Sequence, residues 1–260
     1  MSFQPYVPPE QRMKDLSEYA RKGIARGRSV VALEYADGVL FVAENPSATL
    51  HKISEIYDRI GFAGVGKYSE FEDLRIAGIR LADIRGYSYG REDVSAKALA
   101  NAYSQSLSAI FTQAMKPYEV EILVAQVGQT PDGNEIFHVL FDGSVTDEQG
   151  AVGIGGSSDE LTDHLRDTYE PGWDLATGVR GAVKALADGG SREIPPEDIE
   201  AAVLDRNRPR RRKFRRLDDD EVRAILADGD GSDAPATGPV AADEAASEDS
   251  SPNGSDPAAG

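Results

Sequence analysis

Three stretches hold residues whose types and spacing could do chemistry. GFAGVGKYSEF, Gly61 to Phe71, fits GxxxxGK through Gly61, Gly66 and Lys67. A phosphate loop of that form needs backbone N–H groups around the phosphates, the lysine on the β and γ oxygens, and a Ser or Thr hydroxyl on Mg²⁺. Tyr68 stands where the hydroxyl belongs and cannot place its phenol there, so a tight strand-to-helix turn is the better reading. GIGGSSDE, Gly153 to Glu160, is a second Gly-rich junction, in which Ser157, Ser158 and Asp159 read as N-cap residues. NRPRRRKFRRL, Asn207 to Leu217, has the charge density of a nucleic-acid patch, with Phe214 interleaved. DDDE, Asp218 to Glu221, follows at once, which favours charge pairing within the chain or a docking face. Spacing alone defines no Ser/His/Asp grouping and no carboxylate pair, so no catalytic residue is assigned.

Charge and composition exclude several classes. The net charge of −17 over 260 residues disfavours nonspecific attraction to nucleic acid or to anionic membrane surfaces. Eight acids without a Lys or Arg lie from Asp228 onward, and nine basic against five acidic residues lie in Asp205 to Ala227, leaving −13 for the rest. With no cysteine, disulfides and thiolate metal sites are excluded and a reducing compartment is expected. His51, His138 and His164 are too scattered for a zinc signature, so neither metal nor cofactor is expected. MSFQPYVPPEQRMKD has no apolar leader core, and no stretch approaches the ~20 apolar residues of a membrane span. A cytoplasmic protein is expected, with no nucleic-acid or membrane partner.

The elements that position these stretches follow from periodicity. Residues 1–8, MSFQPYVP, hold two prolines and read as a loose arm. From Pro9, Met13, Leu16, Ala20 and Ile24 recur at helical spacing up to the Gly27 region. SVVALEY and VLFVAE flank an Asp-Gly turn as a hairpin, and Lys52–Asp58 with Ile60–Gly66 form a second strand pair. Helices are expected over Tyr68–Asp83, with Phe71, Leu74, Ala77 or Ile76, and Leu81 inward, and from Ser95 to Met115, capped by Ser95 and ended by Pro117. Strands return at Glu119–Val127, Glu135–Asp142 and Gly150–Gly155, then helices at Ser157–Tyr169 and Asp174–Ala187, then a strand at Ile199–Asp205. Hairpin-linked strand blocks separated by helix pairs imply an α+β fold, a four-layer αββα sandwich of two antiparallel sheets flanked by helices. The expected organisation is an arm at 1–8, one αββα domain at 9–227 that includes the first helix, and an acidic, disordered tail at 228–260.

Several strings in this order resemble one family. EYARKGIARG (Glu18 to Gly27), VVALEYADGVLFVAENPS (Val30 to Ser47), LHKISEIYDRIGFAGVGK (Leu50 to Lys67), DIRGYSYGRED (Asp83 to Asp93) and NRPRRRKFRR (Asn207 to Arg216) resemble the actinobacterial α-subunit of the proteasome core particle. The resemblance runs from the first residues to about Ala227. It implies the fold of N-terminal-nucleophile hydrolases with an additional N-terminal helix. It also implies homo-heptameric α rings stacked on proteasome β-subunits that carry the proteolytic sites.

The residues agree with a noncatalytic role. An N-terminal threonine nucleophile uses its own free α-amine as base and so begins the mature chain at the first strand. Here that strand begins near Arg28 and Ser29 without a Thr, behind an amphipathic helix. Glu44 and Lys52 fall at the positions that support the nucleophile in β-subunits. In related α-subunits the lysine at the position of Lys52 receives the C-terminal carboxylate of a ring-shaped ATPase, in a pocket along which Gly27, Gly66 and Lys67 also lie. The resemblance further makes Ser2, Phe3, Gln4, Pro5, Tyr6, Val7 and Pro8 a gate over the pore, and Pup-tagged proteins the substrates. A self-processing amidohydrolase of the same fold, with a new terminus at Ser29, is the competing expectation.

Overall fold

The computed structural model describes residues 8–156, 158–188 and 191–228. Of the expected arm only Pro8, and of the expected acidic tail only Asp228, belong to them.

Pro8 and Pro9 open helix α1 (Pro9–Ile24), where a missing N–H costs nothing because the first turn has no acceptor for it. The hairpin of β1 (Val30–Tyr35) and β2 (Gly38–Glu44) follows, then β3 (Ile53–Tyr57) and β4 (Ile60–Gly66). Helices α2 (Tyr68–Ser88) and α3 (Ala96–Gln113) precede β5 (Val120–Gln126), β6 (Glu135–Val139), β7 (Val145–Glu148) and β8 (Ala151–Ile154). Helices α4 (Ser158–Thr168) and α5 (Leu175–Leu186), strands β9 (Ile199–Asp205) and β10 (Phe214–Arg216), and α6 (Asp219–Ala227) complete the described chain.

Two five-stranded sheets result, ordered β10-β9-β2-β1-β8 and β3-β4-β5-β6-β7, with every neighbouring pair antiparallel. The strands of both sheets bury alternate residues on opposite faces, so three apolar layers form. Val30, Ala32, Phe41, Val65, Leu123 and Leu204 pack between the sheets. Leu33, Leu40 and Val203 face α4, α5 and α6, while Phe62, Ile122 and Val124 face α2 and α3. The αββα sandwich expected from the element order is therefore present. Helix α1 lies outside the four layers and closes one end of the inter-sheet core with Ala20 and Ile24.

Several details differ from the periodicity. Helix α2 continues to Ser88, and its buried stripe runs through Gly78 and Ala82 while Ala77 is exposed. Gly78 is inward because Tyr103 of α3 crosses there: a Cβ on Gly78 would lie 1.7 Å from its hydroxyl. Met13, expected on the α1 stripe, is 38% exposed, since the helix meets the core only in its later turns. Strands β7 and β10 and helix α6 are additional. VTDE and FRR are too short and too polar to show a period of two, and each exists through pairing with β6 or β9.

Candidate functional site

The GxxxxGK stretch lies at the end of β4. Gly66 has φ +99°, and a Cβ there would sit 1.9 Å from the Glu119 carbonyl oxygen, so only glycine fits between β4 and β5. The Lys67 N–H donates to that same carbonyl at 2.9 Å, and the Glu70 N–H donates to the Lys67 carbonyl at 3.0 Å. The Lys67 ammonium sits 3.3 Å from Glu70, which also takes Lys116 at 2.8 Å. The donors that a phosphate would need are thus committed within the fold, and the tight-turn reading holds.

Gly27 packs directly on this turn, since a Cβ on Gly27 would be 3.1 Å from the Gly66 nitrogen. The next residue, Arg28, leads into β1, and its carbonyl accepts a hydrogen bond of 2.5 Å from the Lys52 ammonium. Lys52 itself stands just before β3, an edge strand of its sheet. Three of the four expected residues, Lys52, Gly27 and Gly66, therefore meet at one place through Arg28, and Lys67 flanks them with its ammonium turned to Glu70.

Two buried carboxylates organise this end of the sandwich. Glu44, 5% exposed at the end of β2, is bound by Arg28 and, at 2.6 Å, by Arg192. Burial pushes its pKa up, but the two guanidiniums outweigh that and hold it below the usual range. Glu200, 8% exposed at the start of β9, accepts from the Asn45 amide at 2.7 Å, from the Lys52 N–H at 2.9 Å and from the Ile53 N–H at 3.2 Å, and also binds Arg216. Glu200 thereby ties β3 of one sheet to β9 of the other. Lys52 stands half-buried beside both carboxylates. Burial lowers its pKa to about 8 against the pull of Glu200 and Glu44, and Arg28 adds to the lowering.

A cavity of about 500 Å³ opens at this end, lined by Gly27, Arg28, Ser29, Glu44, His164 and Arg192 among others. It contains Gly27 but not Lys52, Gly66 or Lys67, which border the neighbouring surface. Glu44 and Lys52, expected to flank a nucleophile in a catalytic relative, do converge on the start of β1. Arg28 and Ser29 occupy that start, joined to α1 by Ala25 to Gly27. The expected N-cap Ser157 lies outside the described residues, and α4 begins at Ser158.

Glu200 and Arg192 were not among the expected site residues. Glu200 left one signal, a lone acid inside the otherwise apolar run IEAAVL. The arginine run resolves into internal pairs: Arg212 with Glu55 at 2.5 Å, Arg215 with Glu221 at 2.5 Å, and Arg216 with Glu200.

The sandwich, the additional helix and the strings at this end agree with known proteins. The family model described as "Proteasome subunit" matches residues 24–204. The chain belongs to the proteasome subunit family. Within that family it is similar to proteins named "Proteasome subunit alpha": that of Streptomyces scabiei is 54% identical over 234 residues, covering 88% of this chain and 94% of the relative. That of Frankia alni is 57% identical over 230 residues, covering 85% and 95%, and that of Kineococcus radiotolerans is 56% identical over 235 residues, covering 87% and 99%. This similarity supports an α-type subunit of the proteasome core. Among the described residues no helix is long and apolar enough to cross a membrane.

Proposed function

We propose that the chain is the noncatalytic, gating α-subunit of a cytoplasmic proteasome core particle. In this reading it forms heptameric outer rings on β-subunit rings and receives the C-terminal residues of a ring-shaped ATPase that delivers Pup-tagged proteins. The convergence of Lys52 with the Gly27–Gly66 contact supports it most. There a half-buried ammonium sits at the edge of the subunit with one acceptor among the described residues, the Arg28 carbonyl, and keeps donors for an incoming carboxylate. Its proximity to Glu200 and Glu44 keeps the ammonium charged at neutral pH despite burial. Lys67 flanks the same glycines with its ammonium paired to Glu70.

The noncatalytic reading rests on the start of β1. Helix α1 and Ala25 to Gly27 precede Arg28 and Ser29, so neither has a free α-amine as base while the chain is intact. An intact mass that includes Met1 or Ser2 excludes the self-processing alternative, and a terminus at Ser29 establishes it.

Three experiments on the coexpressed α and β particle test the role. Lys52→Ala leaves ring assembly intact in electron micrographs and removes ATPase-stimulated degradation by roughly tenfold or more, as a lost charge-assisted contact predicts. Retained stimulation refutes the pocket. In intact Lys52 particles, binding of an ATPase C-terminal peptide weakens as pH rises through about 8, where the ammonium loses its proton. Deleting Ser2 to Pro8 raises hydrolysis of small peptides without any activator, and an unchanged rate contradicts a gate in that arm.

A further inference from the structure

The opposite end of the sandwich holds a cation of a different kind. Arg206 follows β9 and opens the loop to β10, and its Nε and both Nη atoms are buried without a hydrogen-bond partner among the described residues. The acids adjacent in the fold are engaged elsewhere: the Asp37 carboxylate accepts from the Asn207 amide at 2.6 Å, and Asp205 accepts from the Asn207 N–H at 2.8 Å. Arg206 lines a cavity of about 430 Å³ whose rim includes Arg91, Arg210, Arg211 and Lys213. Arg91 is paired with Asp58 at 2.5 Å, and Lys213 donates to the Arg206 and Arg208 carbonyls. Arg210 and Arg211 are exposed and form no ion pair among the described residues. Asp58 and Glu92 are the acids of this lining, so the cavity is strongly cationic. A buried guanidinium without acceptors is costly, and its planar fork matches an oxyanion.

The direction of the chain beyond α6 identifies a source of that oxyanion. The Ile225 carbonyl in the last turn of α6 accepts from Arg180, which also reaches Thr177 in the first turn of α5. Just before α5, the Trp173 carbonyl accepts from the Ala36 N–H, and the neighbouring Asp37 carbonyl accepts from the Arg206 N–H. The chain therefore leaves α6 at the end of the sandwich where the Arg206 cavity opens. Residues 229–260 carry seven acids and no Lys or Arg. Random-coil statistics give a tether of 32 residues a root-mean-square reach of about 30 Å, which corresponds to a millimolar effective concentration of its carboxylates near that end.

We propose that the Arg206 cavity is an oxyanion site occupied by side-chain carboxylates of the chain's own acidic segment, residues 229–260. Arg206 supplies the buried fork, and Arg210 and Arg211 supply the outer charge that draws the segment in. Occupancy is weak per contact, dependent on salt and sustained by the tether.

The absence of native cysteine allows a direct test on the full chain. Donor and acceptor dyes are placed at Gln129→Cys on the cavity rim and Ser247→Cys in the acidic segment, and energy transfer is measured. Transfer is expected to fall roughly twofold or more in about 0.5 M NaCl, where screening removes such contacts. The same loss is expected in Arg206→Gln, and in Arg210→Gln with Arg211→Gln, whose exposed positions leave the fold intact. Inorganic phosphate at about 10 mM lowers transfer when it competes for the same fork. Transfer unchanged by salt and by the exposed pair of substitutions overturns the proposal. Phosphate line broadening that requires Arg206, with transfer unchanged, also overturns the acidic segment as occupant and leaves a site for small anions.

Discussion

At the α1 end, the guanidiniums of Arg28 and Arg192 meet Glu44, and Arg216 meets Glu200, both carboxylates buried beneath the surface. At the β9–β10 end, the Arg206 guanidinium nitrogens are buried and meet no carboxylate among the described residues. The first end is organised by acids that the two sheets surround, and its cations lock strands together. The second is organised by a cation that the loop surrounds, with carbonyls as the main acceptors of its neighbours. Removing one partner from the first arrangement leaves a buried charge uncompensated, whereas the second already holds a buried charge without an acceptor among the described residues.

The largest test of this contrast is Glu200→Ala. It takes the carboxylate from Arg216, which keeps only the Ile53 carbonyl at 2.7 Å, and leaves the Lys52 and Ile53 amides without their acceptor; breaking a buried pair of this kind costs about 3–5 kcal/mol. Urea unfolding measures it, and a loss under about 1 kcal/mol would break the comparison at its stronger end.

Glu121 gives the second test, because it is an acid at the α1 end without a close cation. It is 7% exposed and accepts from the Gly155 N–H at 3.1 Å, with His138 Nε2 3.9 Å away. Burial raises its pKa to about 7, against the Gly155 bond and Arg21, while Asp159 adds to the rise. The folded state then holds a proton that the unfolded state releases near pH 4.5, so this stability is complete below pH 4.5 and lost as pH rises through about 7. The wild-type chain should lose on the order of 2–3 kcal/mol from this group across that window, and Glu121→Gln should flatten the slope in unfolding curves taken at each pH.

Arg206→Gln carries the smallest expected effect. With the acidic segment screened by salt, removing an uncompensated and costly charge should either raise stability or lower it by no more than about 1 kcal/mol, in contrast to Glu200→Ala. A loss as large as that of Glu200→Ala would mean that Arg206 is held by the fold itself.

Much of the molecule was legible in its residues. The hairpin turn at Asp37 and Gly38, the Ser95 cap, the apolar, β-branched runs of β1 and β2, and the break before Pro117 are local, and each appears where its chemistry requires. The same holds for Gly66, whose place in a strand-to-helix turn follows from the sequence around it. Helix α6 was missed, although Asp218 caps it through the Glu221 N–H and Val222 is buried. Its nine residues carry too few apolar positions for a period to stand out from the charge run. Strand β10 was missed for a related reason, since Phe214 alone of its three residues is apolar.

By itself, then, the sequence determined the elements, their order, the two-sheet sandwich and the family, because cap, turn and periodicity signals act over a few residues and many of them agree. It also marked Lys52, Gly27 and Gly66, through strings similar to known α-subunits. Only the tertiary structure decided that Glu200, 148 residues beyond Lys52, accepts from its amide, and that Arg206 is buried without an acceptor among the described residues. Whether a charge is paired depends on what the other sheet and the distant loops bring within about 3 Å of it, and no local pattern encodes that distance.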